Sequence, residues 1–301
     1  MKNNVIRSPL FYVGDKYKII GDIKRYFPKE LHRFVEPFVG GGSVFMNVDA
    51  NEYFLNDIDT NIIDIHKMLC DYANKPEDFY KKVDKVVAHY NLSSSYKSDI
   101  VPEELKKQFV KTYYARFNKF GYEQMRSDYN QSHDRSVFML YMLLIYGFNR
   151  MIRFNKSGNF NLPVGNVDLN QNTIKALNDY FNLAKRKNLQ WFNLDFEDFI
   201  NQIKLDQGDL VYLDPPYLIT FSEYNRYWNE ETENRLLNLL NQLNNRNIRF
   251  AISNVTHYKG RINQIFLDWS QNYNSHPVKS NYISYHDNTN KVFTEVLVTN
   301  Y

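Results

Sequence analysis

A single cysteine, Cys70, leaves this 301-residue chain without a partner for an internal disulfide. That excludes a small disulfide-stapled scaffold and points to a reducing compartment. No run of about 18 apolar residues occurs, and Met1-Lys2-Asn3-Asn4 is not followed by an apolar stretch of signal-peptide length. The expectation is a soluble, cytoplasmic protein with no membrane contact. The seven histidines show no paired ligand spacing and there is no cysteine cluster, so no metal site is expected. A Gly-x-x-x-x-Gly-Lys phosphate loop is missing too, which argues against a nucleotide-driven motor. Internal repeats and low-complexity linkers are absent. Neither sign of charge dominates, for the net is only +3.

That small net charge conceals an uneven distribution. Residues 101–166 carry ten Lys/Arg against five Asp/Glu, so this segment is +5 and the remainder of the chain −2. Its basic side chains alternate with Tyr113, Tyr114, Phe117, Phe120, Tyr122 and Phe148, a composition suited to neutralising phosphates and offering rings for stacking or insertion. With 43% hydrophobic and 16% aromatic residues, the chain is long enough for one α/β domain carrying an inserted one.

Strand patterns at residues 33–36, 52–55, 189–194, 209–213 and 248–253 alternate with helical ones, the signature of a mainly parallel, doubly wound sheet. Leucines at 236, 239, 240 and 243 mark a helix over 231–245, with Glu230 and Glu231 suited to its first turn. From the second strand to about residue 170 the pattern turns helical and includes the apolar run Val137–Tyr146. This predicts an inserted helical unit at 63–167 and a discontinuous domain of 1–62 with 168–301. Asn281–His286 and Lys291–Asn300, around a polar turn, read as a C-terminal β-hairpin closing the far edge of the sheet.

The chemistry concentrates where strands end. Asp214-Pro215-Pro216-Tyr217 follows the buried run Asp209–Leu213, at the edge where open α/β sheets bind ligands. Asp214 and the Pro215 carbonyl can each accept a hydrogen bond from an amine on a planar heterocycle, Tyr217 can stack on the ring, and Pro216 stiffens the turn. A plain strand-ending turn is the alternative. A second strand ends at Glu36 and runs into Gly40-x-Gly42, where glycine lets a ligand approach the backbone; Ser43 is placed to cap a following helix. The third glycine of the dinucleotide fingerprint is missing, which favours a nucleoside without phosphates. Asp57, ending the next strand, is placed to bind ribose hydroxyls. Together these imply methyl transfer from S-adenosylmethionine to a nucleobase amine.

Phe38-x-Gly40-x-Gly42 and the later Asp214-Pro215-Pro216-Tyr217 resemble the Dam group of adenine-specific DNA methyltransferases, the D12 family, and most nearly its T-even phage branch. Gly147 to Arg153, Gly158-Asn159-Phe160 and Pro163-Val164-Gly165 resemble the group's target-recognition segment, and Ser253-Asn254-Val255 its catalytic half. Residues 80–120 are longer than in the phage branch. The resemblance implies a Rossmann-like S-adenosylmethionine-dependent methyltransferase sheet with an inserted target-recognition domain, acting on double-stranded DNA at GATC. It implies cofactor contacts from Tyr12, Lys16, Glu36, Phe38, Gly40, Gly42, Asp57, Asp195 and Phe196. It also implies DNA contacts from Lys16, Asn149, Met151, Arg153, Asn155 and Pro163, with Phe148 filling the space of a flipped base. Phe148 and Phe196 read equally well as core phenylalanines. The rival functions are methylation of RNA or of a protein glutamine amide, and a non-catalytic DNA-binding regulator.

Overall fold

The computed structural model describes residues 5–98, 100–220, 228–278 and 293–301. Its centre is one sheet built from β1 (Arg33–Glu36), β2 (Glu52–Asn56), β3 (Asn188–Phe192), β4 (Leu210–Leu213), β5 (Arg249–Tyr258), β6 (Arg261–Ile262), β7 (Asn274–Val278) and β8 (Phe293–Thr299). The order is β3-β2-β1-β4-β5-β8-β7, with β6 paired to β5 off this path. The first five strands of that order run parallel, and β8 pairs antiparallel with both β5 and β7. All five strand positions read from the sequence are present. Strand order reverses between β1 and β4, so their carboxyl ends flank the crevice where such sheets take ligands.

The two-residue period of the strands sorts side chains between two cores. Phe34, Leu210 and Tyr212 face one layer, while Val35, Val211 and Leu213 face the other. On the second face lie α8 (Phe196–Gln202), α9 (Glu230–Asn245) and α10 (Gln264–Ser270). The α9 leucines Leu236, Leu239, Leu240 and Leu243 are buried there, each contributing roughly 1.5–3 kcal/mol by burial. Asn229 caps α9 by accepting from the Thr232 amide, and Glu230 and Glu231 occupy its first turn.

On the first face, α2 (Thr60–Tyr72), α3 (Pro76–His89), α4 (Glu103–Gln108), α5 (Tyr113–Gln131), α6 (Val137–Tyr146) and α7 (Gln171–Ala184) follow the short N-terminal α1 (Ile20–Ile23) in chain order. The apolar run is α6, buried almost all round. The 62/63 boundary lies inside α2, whose buried face shares one apolar core with α6, α7 and the sheet. No helix among the described residues is long and apolar enough to cross a membrane.

Two local expectations change. The glycine loop leads into one 3-10 turn, Phe45–Asn47, not an α-helix, and Ser43 makes no capping bond. The reason is Asn47, which is tied to both Ile6 and the Ser43 carbonyl and turns the chain directly toward β2. The far edge of the sheet is a hairpin-like pairing of β7 with β8, from Asn274 opposite Thr299 to Val278 opposite Glu295. The arm expected at 281–286 lies outside the described residues.

Candidate active site

Strand β4 delivers Asp214 to the crevice, and the chain turns just beyond Tyr217, where the Thr220 amide donates to the Tyr217 carbonyl. The Tyr217 hydroxyl donates to Asp214 Oδ1 at 2.7 Å and lies 3.2 Å from Glu295 Oε1. Burial and the two carboxylates push the Tyr217 phenol well above its usual range, so it stays a donor. Lys16 is buried, with Nζ 2.7 Å from Asp214 Oδ2 and 3.6 Å from Glu295 Oε1. The sequence sends Lys16 both to the cofactor and toward DNA bases. The structure seats its ammonium on the Asp214 carboxylate.

The glycine loop is held from three sides. The Gly40 amide donates to Asp57 Oδ2 at 2.9 Å, and its carbonyl accepts from His66 Nε2 at 2.9 Å. His66 is buried, stacks on Trp191 and has its pKa pushed down to about 4, so it is the neutral Nε2–H tautomer accepting from Tyr180 at Nδ1. Tyr12 packs along Gly40 and Gly41. Gly40 and Gly42 have φ of +47° and +80°, backbone that side chains rarely tolerate. Asn56 ties the loop to the next strand end, its amide donating to the Pro37 and Leu194 carbonyls.

Carboxylates crowd this edge. Asp57 already accepts from two backbone amides, yet burial raises its pKa to about 6. Glu36 is buried with Oε2 unpartnered among the described residues, and burial, then the nearby Asp214, pushes it well above the usual range. Phe38, Phe196 and Trp228 form an aromatic wall, with Phe38 5.5 Å from Phe196 and 5.7 Å from Trp228. Asp195 caps α8 through the Glu197 amide and pairs with Arg235 at 2.8 Å, so its carboxylate is already engaged.

Comparison with known sequences decides the family. The D12 class N6 adenine-specific DNA methyltransferases match residues 12–284. The chain belongs to that family. It is 34% identical to Type II methyltransferase M.FokI of Planomicrobium okeanokoites, over 99% of this chain and 43% of that protein. Modification methylase StsI of Streptococcus sanguinis is 33% identical, over 98% of this chain and 43% of its own length. The DNA adenine methylase of Escherichia coli K12 is 31% identical over 72% of this chain and 66% of its own length. The chain thus spans less than half the length of the modification methylases that it matches along nearly all of itself.

In this D12-family chain the expected DNA-contacting residues separate into three groups. Phe148 and Asn149 protrude after α6, and the Phe148 amide donates to the carbonyl of exposed Pro163 at 2.9 Å. Asn149 and Arg150 take consecutive positive φ values of 53° and 50°, a strained path costing on the order of 1 kcal/mol or more each. Arg150 anchors it, with its buried guanidinium 3.9 Å from the Phe11 ring and Nη2 3.1 Å from Thr173 Oγ1. Met151 and Arg153 are half-buried behind this tip, and Asn161 fixes the Arg153 guanidinium through two bonds of 2.9 Å. Asn155 is different: its Oδ1 accepts from the Ser157 and Asn159 amides, so the side chain shapes a hairpin turn.

Around the insert, Lys107, Lys111, Arg116 and Lys119 are exposed, and Phe120 is 80% exposed on α5. Tyr122 does not join that surface. It is buried, with its hydroxyl on the Leu162 carbonyl. His32, Asp206 and Asp209 gather at the opposite, amino-terminal edge of the sheet. Arg33 donates to Asp209 at 2.9 and 2.6 Å and to Asp206 at 3.3 Å there, making that cluster an ion-pair network.

The sequence reading did not single out Glu295, His66, Trp228 or Asn161, which look like ordinary strand, helix or loop residues until the fold brings them beside Lys16, Gly40, Phe38 and Arg153 respectively. Arg150 carried a signal, as a charged residue inside the recognition-like segment.

Proposed function

We propose that this chain transfers the methyl group of S-adenosylmethionine to the 6-amino group of an adenine flipped out of duplex DNA. The observation that carries this reading is Asp214 and Tyr217 at the end of β4, across the strand-order reversal from the Gly40–Gly42 loop at the end of β1. The residues suit the cofactor: positive-φ glycines for close approach, the Asp57 carboxylate for ribose hydroxyls, and the Glu36 oxygen, unpartnered among the described residues, for an ammonium. A crevice rich in carboxylates also favours a ligand carrying sulfonium and ammonium charge. When bound, that ligand supplies an electrophilic methyl.

The protein's own work is on the adenine. The lone pair of the 6-amino nitrogen is delocalised into the ring, so hydrogen bonds to Asp214 and the Pro215 carbonyl favour the tetrahedral nitrogen that attacks. The same acceptors stabilise the positive charge that develops on it. Tyr217 receives the ring, and the remaining burden is alignment. Transfer of labelled methyl to duplex DNA, compared with RNA and protein, tests the reading. Transfer to RNA or protein alone would overturn it.

The protruding Phe148 is the residue that fills the gap in the stack. Phe148→Ala is expected to slow methylation of an ordinary duplex by about tenfold, and to cost much less when the target adenine is mispaired, because a weakly paired base opens at lower cost. Equal slowing on both substrates would remove that role.

The proposed target is GATC, read in part by Arg153, whose fork can donate two hydrogen bonds to guanine. Arg153→Ala is expected to lose about 1–3 kcal/mol of discrimination at one guanine, whereas Lys107→Ala weakens all DNA alike and reduces the salt dependence. Sequencing of methylated sites measures both. An unchanged ratio of GATC to its one-base variants would show that Arg153 reads no base.

A further inference from the structure

Both Asp214 oxygens already have donors, Tyr217 on Oδ1 and Lys16 on Oδ2, each at 2.7 Å. An adenine amine entering the clamp is a further N–H donor of about the same size as the ammonium, seeking the same acceptor. A carboxylate oxygen can accept from two donors, but the positive charge that develops on the amine repels an ammonium held on the same Oδ2 and drives Lys16 off it. Its side chain is 5% exposed, and a buried ammonium without an anion costs several kcal/mol. A second carboxylate is in reach. Glu295 Oε1 lies 3.6 Å from Lys16 Nζ, and Glu295 Oε2 is buried with no partner among the described residues.

Resting on the methyltransferase reading above, we propose that Glu295 is a positioning residue for the reaction. It takes over the Lys16 ammonium when the target amine claims Asp214, and it holds the Tyr217 hydroxyl through that exchange. Strand pairing makes this possible, because β8 sets Glu295 opposite Val255 on β5, one strand beyond β4. A buried carboxylate with an unused oxygen is a cost to the fold unless a partner arrives. Burial raises the Glu295 carboxyl above its usual range, and Lys16 beside it pulls it back down. The ammonium thus sits between two anions, bound to one and within a short swing of the other.

The test is a cycle of Glu295→Gln, Lys16→Met and the double variant, read by single-turnover methylation of duplex DNA, cofactor calorimetry and thermal melting. Glu295→Gln keeps the acceptor for Tyr217 but removes the anion. It is expected to lower the single-turnover rate about 10–100-fold, the scale of a misplaced reacting group, with cofactor and DNA affinities within about threefold. Glu295→Asp should recover part of that rate. In the Lys16→Met background, Glu295→Gln should cost less than about threefold more, since no ammonium remains to relocate. A wild-type rate in Glu295→Gln overturns the proposal, as does its full loss persisting without Lys16. Should Glu295→Gln not fold, Glu295→Asp carries the test: an intermediate rate supports the proposal and a wild-type rate overturns it. Absence of any methyl transfer to DNA by the unmutated chain would overturn the methyltransferase reading and this proposal together; transfer unaffected by Glu295→Gln overturns this proposal alone.

Discussion

Asp214→Ala is expected to lower methyl transfer by about 10²–10³-fold or more, because it deletes an acceptor whose hydrogen bond strengthens as charge develops on the amine. Cofactor affinity should change little, since the glycine loop and Asp57 follow the carboxyl ends of β1 and β2. Some stability is also lost, because Lys16 gives up its 2.7 Å carboxylate partner while Glu295 lies farther off, at 3.6 Å. Asp214→Asn separates the two effects. It preserves the shape and one acceptor oxygen, yet its amide hydrogens oppose those of the target amine. It should therefore melt closer to the parent while remaining strongly impaired. A well-folded Asp214→Ala protein turning over at the parental rate would sink the clamp mechanism.

The second large effect is expected at Gly42. A Cβ there would sit 2.3 Å from the buried Phe45 ring and 3.1 Å from the His66 ring, on backbone with φ +80°. Neither ring has room to retreat. Strain and overpacking should each cost about 1–3 kcal/mol in Gly42→Ala, and the shift of His66 releases the Gly40 carbonyl that it holds. Cofactor affinity should fall at least about tenfold with the loop displaced. Gly158→Ala is the control: its φ is +71° with open space around the added carbon, so it carries strain without a clash and lies on the insert hairpin. Calorimetry showing parental affinity in Gly42→Ala would mean that this loop does not form the cofactor site. Gly40 differs in kind, since a Cβ there meets only the Tyr12 ring at 3.8 Å and the restriction comes from φ.

The family-level reading was accessible because its signals are local. A central parallel strand covered on both faces needs only a short apolar run, so Phe34 and Val35, one for each core, mark β1 without help from the rest of the chain. Asp214 and Gly40 are informative for the same reason: turn residues at the carboxyl ends of buried strands have few structural duties and many chemical ones. The Ser43 cap failed where a longer-range tie intervened, since Asn47 reaching back to Ile6 ends the helical turn at once. Asn155, expected to contact DNA, also closes its own turn, a second role that has no separate signature in the local sequence.

What the sequence by itself determined is the sheet, the turn from Asp214 to Tyr217, the glycine loop and the basic character of the insert, all set by spacing and composition over a few residues. Tertiary structure alone decided the charge arrangement at the centre. Lys16 and Glu295 are separated by nearly the whole chain, and neither position shows its partner locally. Their meeting depends on β8 pairing antiparallel with β5 in one register and on the N-terminal segment packing across the glycine loop. The same holds for His66 under Gly40 and Arg150 against Phe11. Electrostatic partnership acts through space, at distances of a few ångströms, and it is topology that chooses which residues come that close.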